Sequence, residues 1–515
     1  LAFTLPGHAF RYFYYGTLIP NTFYVKTSAG SVWQEGLNTL HDMFGFNHTG
    51  LLAVLAPLAF ADRRRLLEKA VFALISLAFM VYYVRVGIDE MHWHRLYIPA
   101  LPFLCVLAAL GVQNLVDATA RALRQASWAK IAAPALAWLG AAWLAAANFE
   151  TTYEAQSGFD GHGDLAGTFH PDLGKFLVRH ERAGGLVAFQ DMGSTPYHAP
   201  DIRFLDFFGL VDETVAHARH DHGLHTFLAG DEREQRKYDA EMREYFFRRN
   251  PAWAILTIYP PRGEEGRARE LFDADPTGAT LGPYYAGNPV QFGLWRDPRF
   301  RQGYVPVRTW PRSLGYYLAL WRRRDLWEQT PGEVVLDTPP AQARQVIARF
   351  ESGLDLLGSE LTPKTLERHE AFITTWWRLP GPLPHDLTFF VHVTRRGLQV
   401  PADHIPGDWM YPADRWKAGQ ILEDRTLFQL PPMVIDPGTY DVYVGVFRPS
   451  TGERLAVREG DNDGEDRVRI GKLRVEPLRP LIHPLIPPTD VARMRAHPER
   501  ILDSRSGEDL RSQLR

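Results

Sequence analysis

The first 150 residues alternate long apolar runs with short charged ones, whereas the remainder of the chain is polar. A helix needs about 20 mainly apolar residues to cross a bilayer. Four runs without Asp, Glu, Lys or Arg approach or reach this length, and the shortest has Lys69 and Arg85 to extend from its ends to lipid headgroups. Buried helices of a soluble protein are the alternative, but four such runs so close together are difficult to bury. The pattern predicts transmembrane helices over residues 43–61, 68–86, 96–116 and 130–149.

Basic residues in short loops set the orientation of these helices, because such loops stay in the cytoplasm. The loops between the first and second helices and between the third and fourth are basic, with Arg63, Arg64, Arg65, Arg121, Arg124 and Lys130. The N-terminal residues, the loop 87–95 and the whole chain after residue 150 are then predicted to face outward.

Strands alternate with helices over residues 151–328, which predicts a small α/β domain. Apolar β-rich runs over 185–190, 202–206 and 252–259 indicate strands. Residues 231–249 form a predicted helix with Tyr238, Met242 and Phe246 on one face.

The apolar period changes to two over residues 333–475. Strands are predicted at 371–379, 387–394, 426–430 and 438–447, separated by Pro, Gly and Asp turns. This pattern is typical of an antiparallel sandwich or jelly roll. Residues 476–515 are interrupted by prolines and are predicted to be an extended tail. The predicted fold is multi-domain: an α-helical transmembrane region over 1–150, then the α/β domain and the all-β sandwich.

Composition excludes some classes of protein. The 515 residues carry a net charge of -3, which does not indicate nucleic-acid binding. The single cysteine, Cys105, excludes an intramolecular disulfide. The chain begins at Leu1 in an apolar context without a signal peptide, so we expect it to be the C-terminal part of a longer protein.

Three aromatic residues in the predicted loop "DWMYPADRWKAG" could bind carbohydrate, namely Trp409, Tyr411 and Trp416. Sandwich domains often bind sugars through exposed aromatic rings. The alternative is that the three rings fill one end of the sandwich.

Three segments of the chain, in the same order, resemble segments of bacterial glycosyltransferases. They are "YYGTLIPNTFYVK", "GIDEMHWHRLYIPALPFL" and "QDMGSTPYHAPDIRFLDFFGLVDETVA", the last with an Asp-x-Gly…Tyr…Asp-x-x-Gly-Leu-x-Asp pattern. The resemblance is to the GT-C superfamily, particularly to the arabinofuranosyltransferases and protein mannosyltransferases. The C-terminal region also resembles a β-sandwich appended to some of these membrane enzymes.

The resemblance implies an enzyme of the bacterial cytoplasmic membrane, multi-pass, with large extracytoplasmic C-terminal domains. Such an enzyme transfers a sugar from a polyprenyl-phosphate carrier to a glycan, lipid or protein acceptor. Its catalytic acidic residue lies in the first outward loop, after the first membrane helix. In this chain we therefore expect the catalytic residue upstream of Leu1, because the N-terminal catalytic helices are missing.

The outward loop "DEMHWHR" contains candidate binding residues for this chemistry. Transfer from a phospholipid donor needs a base for the acceptor hydroxyl and cations or a metal for the leaving phosphate. Arg95 could bind phosphate through its planar guanidinium, and Asp89 matches the acidic residue of the family loop. His94 belongs to a His-x-His pair without a third ligand, so a divalent metal is only a candidate cofactor. The alternative is a solvated loop.

Four further polar or aromatic residues are candidates for substrate binding. Tyr15, Asn21 and Lys26 belong to the aromatic opening segment, which is predicted to lie at the outer membrane face. Its alternatives are an aromatic belt and, for Lys26, a headgroup contact. Asp191 follows a predicted strand, as ligand-binding residues do in open α/β sheets, or simply forms a turn.

Two other functions remain open on the sequence. The first is a non-catalytic, membrane-anchored protein that binds carbohydrate or assembles the envelope. The second is a transporter, which would require charges inside the membrane helices, and the four apolar runs contain none.

Overall fold

The computed structural model describes most of the chain outside two long gaps. It describes residues 4–27, 33–45, 49–86, 95–122, 135, 138, 142, 170–181, 184–224 and 231–476, the last range without 262, 288–289, 312–316, 367–369, 385–386 and 430–436. The chain forms two compact units. The first unit is Leu1–Arg182 with Gln190–Arg248, and the second is Ala183–Phe189 with Arg249–Arg515. The predicted tail 476–515 lies outside the described residues except for its first residue.

The N-terminal part of the first unit is helical. Its elements are Thr4–Tyr15, Asn21–Thr27, Trp33–Gly45, Gly50–Leu55, the 3₁₀ segment Ala56–Ala61, Leu66–Val86, the 3₁₀ segment Arg95–Ala100 and Leu101–Ala122. Leu66–Arg85 and Tyr97–Ala122 are long and apolar enough to cross a membrane. They correspond to the predicted helices 68–86 and 96–116.

The predicted helix 43–61 is replaced by two helical segments, Trp33–Gly45 and Gly50–Ala61, whose axes differ by 91°. The Thr49 hydroxyl donates a hydrogen bond to the Met43 carbonyl, which supports the break between them. The predicted helix 130–149 lies outside the described residues apart from three isolated positions. The described part of the chain thus holds two helices that could span a membrane, or three if the bent pair is one span.

These helices pack closely through small residues, as membrane helices commonly do. A Cβ atom built on Gly111 would lie 2.1 Å from the Leu55 carbonyl oxygen. The Lys69 ammonium donates to the carbonyl oxygens of Ala59 and Asp62, at 2.9 and 2.8 Å. Lys69 therefore caps the Gly50–Ala61 segment, which differs from the expected extension of its side chain to the headgroups.

Replacing Gly111 by Ala is expected to push helix Leu101–Ala122 away from helix Gly50–Leu55. The free energy of unfolding should fall by roughly 1–3 kcal/mol, the usual cost of overpacking. The measurement is thermal unfolding of the detergent-solubilised protein. Gly45→Ala is the matched control, because nothing lies within 4 Å of a Cβ atom at that position. Equal melting temperatures for the two variants would contradict the close packing.

The remainder of the first unit is helical with one strand. Residues 170–180 are helical, and the other helices are Ser194–Tyr197, Glu213–Asp221 and Glu232–Arg249. The last of these confirms the helix predicted over 231–249. Tyr238, Met242 and Phe246 are buried, as their spacing predicts.

Sixteen strands lie in the described residues. They are β1 (Leu186–Phe189), β2 (Arg203–Asp206), β3 (Trp253–Ile258), β4 (Tyr304–Pro311), β5 (Tyr317–Arg323), β6 (Val335–Leu336), β7 (Ala348–Phe350), β8 (Asp355–Thr362), β9 (Thr365–Leu366), β10 (Glu370–Arg378), β11 (Thr388–Arg395), β12 (Leu398–Pro401), β13 (Ile421–Gln429), β14 (Gly438–Phe447), β15 (Val457–Gly460) and β16 (Val468–Val475). Strand β2 belongs to the first unit and the others to the second.

The second unit begins with a mixed sheet in which β1, β3, β5 and β4 are neighbours in that order. Strands β1 and β3 are parallel, and β3, β5 and β4 are antiparallel. The helices here are short: Glu265–Ala274, Pro298–Gly303, Arg324–Gln329 and Pro331–Val334, with 3₁₀ segments Ala279–Gly287, Leu294–Arg296, Ala341–Ala343, Glu351–Gly353 and Ala413–Arg415.

Two further sheets form the C-terminal part of the second unit. Their strand orders are β15-β7-β8-β10-β13-β6 and β12-β11-β14-β16-β9, and all pairs are antiparallel except β9 with β16. Trp377 of β10 contacts Phe389 of β11, with ring centroids 4.6 Å apart, so the sheets share a core. The structure confirms a helical region followed by β-rich parts. The strands predicted from the period-two pattern correspond to β10, β11, β13 and β14.

Candidate functional site

The turn after β2, with the sequence "DFFGLVD", is organised by a buried carboxylate. Asp206 is fully buried and accepts hydrogen bonds from the backbone N–H groups of Phe208 (2.8 Å) and Val211 (2.9 Å). Gly209 has φ of 87°, and a Cβ atom there would lie 2.8 Å from the Ala216 nitrogen. The turn thus requires a short acidic side chain at its start and glycine at its centre.

Burial raises the pKa of Asp206 to about 6, although the backbone donors of Val211, Phe208, Gly209 and Leu210 act in the opposite direction. The carboxyl therefore ionises just below neutral pH. Because its pKa is higher in the folded than in the unfolded chain, its ionisation between about pH 4 and pH 6 disfavours the fold.

Asp212 ends the turn and begins helix Glu213–Asp221. Its carboxylate accepts a hydrogen bond from the Val215 backbone N–H at 3.2 Å, a standard helix N-cap. The Tyr245 hydroxyl donates to the same carboxylate at 3.1 Å. This helix is consequently fixed in direction by the turn and by helix Glu232–Arg249.

Helix Glu213–Asp221 contacts the short helix Asn21–Thr27 of the opening segment. The Tyr24 ring lies against His217, with centroids 4.2 Å apart, and edge-on to His220 at 5.5 Å. Helix Asn21–Thr27 also contacts the candidate membrane helix Leu66–Val86. We name Tyr24, Asp206, Asp212, His217 and His220 the membrane-proximal site, since these residues connect a candidate membrane helix to the polar part of the unit.

A buried arginine lies beside this site. Arg219 is 4% exposed, and its guanidinium lies over the Tyr238 ring at 5.2 Å and over the Phe208 ring at 6.0 Å. It donates to the Tyr238 hydroxyl at 3.3 Å. Aromatic faces can stabilise a desolvated guanidinium, so Arg219 joins helix Glu213–Asp221 to helix Glu232–Arg249 and to the turn.

Asp191 forms a second polar group in the first unit. The Nε2 atom of His170 lies 3.9 Å from its carboxylate, and Nδ1 lies 2.8 Å from the Thr195 hydroxyl oxygen. Gly174 allows this contact, because a Cβ atom there would lie 2.7 Å from the Thr195 carbonyl oxygen. The Asp191 side chain is one-third exposed, so it could accept hydrogen bonds from a hydroxylated ligand.

The structure locates only part of the predicted substrate site. Tyr15 is exposed at the end of helix Thr4–Tyr15, and Asn21 begins helix Asn21–Thr27. Lys26 and Arg95 have helical backbones, but their side chains lie outside the description. Asp89 and His94 lie outside the described residues. The assigned roles of these residues stay predictions.

Trp409, Tyr411 and Trp416 are buried in the second unit, with exposures of 8%, 0% and 1%. This corrects the expectation of exposed rings for sugar binding. Arg308 lies over the Trp409 ring at 5.0 Å, and the Trp416 indole N–H donates to the Tyr411 carbonyl at 3.0 Å. The rings fill the core here, which was the alternative interpretation of the loop.

The sequence gives no indication of the buried ion pair beneath this loop. Asp424 accepts hydrogen bonds from His404 Nε2 (2.8 Å) and from the backbone N–H groups of Gly407 (2.8 Å) and Asp408 (3.2 Å). Burial lowers the pKa of His404, but the charge and hydrogen bond of Asp424 outweigh it and raise that pKa to about 9. His404 is therefore a cation at neutral pH, inside the sandwich.

Within the part of the chain that the structure describes, no group of three or more His, Cys, Asp or Glu residues could hold a metal ion. The candidate metal near Asp89 and His94 stays a prediction, because both residues lie outside that part.

Residues 151–328 match the family model of a domain of unknown function (DUF8728). The matched range includes Asp191, the turn Asp206–Asp212 and helix Glu213–Asp221. No curated protein matches the chain.

Proposed function

We propose that the chain is part of a glycosyltransferase of the bacterial cytoplasmic membrane that uses a polyprenyl-phosphate sugar. The observation that carries the proposal is the contact of Tyr24 with His217 and His220. Tyr24 belongs to the first segment that resembles the GT-C enzymes, and both histidines lie within four residues of the end of the third. Two segments far apart in sequence thus meet beside a candidate membrane helix, where a lipid-linked donor would lie.

Each part of the chain has a role in this proposal. The carrier's phosphate binds to cations at the outer face, for which Lys26 and Arg95 are the candidates. Asp89 orients the sugar, either directly or through a divalent metal. Asp191, whose carboxylate lies beside His170, accepts a hydrogen bond from a hydroxyl group of the glycan, lipid or protein that receives the sugar. The catalytic acidic residue belongs to a loop that precedes these residues in the resembling enzymes.

In this proposal the membrane-proximal site positions helix Asn21–Thr27 and takes no part in the chemical step. Asp206 and Asp212 fix helix Glu213–Asp221, and the two histidines of that helix hold Tyr24. A small displacement of helix Asn21–Thr27 would move Asn21 and Lys26 together. Displacements of about 1 Å can lower an enzymatic rate by about 100-fold.

Tyr24→Ala is expected to lower sugar transfer by about 100-fold, because the stacking that positions helix Asn21–Thr27 is lost. The measurement is transfer from a labelled polyprenyl-phosphate sugar by membranes that contain the complete gene product. Tyr24→Phe is the matched control, since it keeps the ring against His217, and it should retain most of the activity.

Asp89→Asn and Arg95→Ala test the chemical part of the same proposal. Both should reduce transfer while the protein remains in the membrane at normal abundance. Full activity in both of these variants and in Tyr24→Ala would overturn the proposed function.

A further inference from the structure

Helix Thr4–Tyr15 exposes a contiguous group of large apolar side chains. Every residue from Leu5 to Tyr15 is exposed, with 85% exposure for Phe13 and 70% for Tyr14. The aromatic rings of this helix contact each other, as in Phe10 with Tyr14 at 5.2 Å. Contiguous apolar surface of this kind indicates an interaction site.

The length and composition of the helix identify what covers it. Its 12 residues rise about 18 Å, much less than the roughly 30 Å of a bilayer core. At 3.6 residues per turn, Leu5, Ala9 and Phe13 lie on one side, whereas Arg11 lies on the opposite side. Tyrosine is enriched at the membrane–water boundary, and five of these twelve residues are Phe or Tyr, with no acidic residue before Glu35.

The neighbouring helix places this segment near the boundary of the membrane. Helix Asn21–Thr27 contacts both the candidate membrane helix Leu66–Val86 and the polar helix Glu213–Asp221. Residues 16–20, which connect it to helix Thr4–Tyr15, can extend over at most about 20 Å. The C-terminal end of the exposed helix therefore lies within that distance of helix Asn21–Thr27.

We propose that helix Thr4–Tyr15 lies in the interfacial layer of the bilayer, parallel to its surface. Leu5, Ala9 and Phe13 face the acyl chains, and Arg11 faces anionic headgroups, as in other interfacial amphipathic helices. The basic, acid-free segment is complementary to anionic lipid. This proposal is independent of the proposed enzymatic function.

The test measures the depth of two opposite positions in the intact protein. The single cysteine, Cys105, is replaced by alanine, and a nitroxide label is attached at Phe13→Cys or at Arg11→Cys. The protein is reconstituted in nanodiscs of phosphatidylethanolamine and phosphatidylglycerol. Collision rates with oxygen, which concentrates in lipid, and with a water-soluble nickel chelate are then measured.

We expect the oxygen-to-nickel ratio of collision rates at Phe13→Cys to exceed that at Arg11→Cys severalfold. Ala9→Cys lies on the same side as Phe13 and should give the same high ratio, which guards against a local effect of losing the Phe13 ring. High nickel access at both sides would overturn the proposal and place the helix in water. Low access to both reagents would also overturn it, since the helix would then be covered by protein.

Discussion

Replacing Asp424 by Leu is expected to lower the free energy of unfolding of the second unit by about 3–5 kcal/mol. Without the carboxylate, burial lowers the pKa of His404, so its 2% exposed imidazole becomes neutral and its Nε2 atom loses its hydrogen-bond partner. It also removes the acceptor of the Gly407 and Asp408 backbone N–H groups. The measurement is guanidinium unfolding of the detergent-solubilised protein, followed through hydrogen exchange in β13.

The control is the double variant His404→Phe with Asp424→Leu. Replacing both members of a buried ion pair by apolar residues is often neutral, so the double variant should recover much of the loss. If the double variant loses as much free energy of unfolding as His404→Phe and Asp424→Leu lose together, a direct coupling between the two side chains is contradicted.

The ion pair of His404 with Asp424 also predicts that the free energy of unfolding falls as the pH rises. Because the pKa of His404 is raised from 6.5 to about 9, the stabilisation is complete below about pH 6.5 and is lost as the pH rises through 9. Wild-type protein should therefore lose stability between these values, and the double variant should lose less.

Regular apolar periods allowed the long elements to be predicted. The spacing of Tyr238, Met242 and Phe246 is that of one helix face, and all three are buried. The alternation in "GTYDVYVGVF" predicts β14 at the bounds that the structure has. In these cases one face contacts a core, so local pattern and final burial agree.

Strand β4 was not predicted, and the reason is its prolines. Pro306 and Pro311 argue against a strand, yet β4 forms the edge of its sheet, where a missing backbone donor is tolerated. The pairing of β4 with β5 also shifts register between Pro306 and Arg308. Position in a sheet is a tertiary property, which a local pattern does not contain.

The candidate site likewise combines residues that a local sequence pattern marks with contacts that only the tertiary structure shows. Asp206, Gly209 and Asp212 stand out through the Asp-x-x-Gly-Leu-x-Asp pattern, and each has a defined role in the turn. His217 and His220 lie in a histidine-rich stretch of the sequence, but their partner Tyr24 lies in the first helices of the chain. His404 and Asp424 are separated by 20 residues, so no local motif marks them.

Trp416→Ala is expected to lower the free energy of unfolding of the second unit by about 3–5 kcal/mol. The side chain is 1% exposed, its ring lies 6.1 Å from that of Phe389, and its N–H bond to Tyr411 would be lost. Trp416→Phe should cost less, because it retains much of the ring volume. Ile347→Ala, at a position that is 40% exposed, is the surface control and should change stability by at most about 0.5 kcal/mol.

The same variant separates the enzyme from a non-catalytic carbohydrate-binding protein. A sugar platform needs an exposed ring, so a binding role for Trp416 requires that Trp416→Ala lose glycan affinity at unchanged stability. The buried ring predicts the reverse: the unfolding midpoint falls, and any glycan affinity of the intact protein under native conditions is unchanged as long as the unit stays folded. Lost glycan affinity with an unaltered midpoint would contradict the packing role and favour the binding protein.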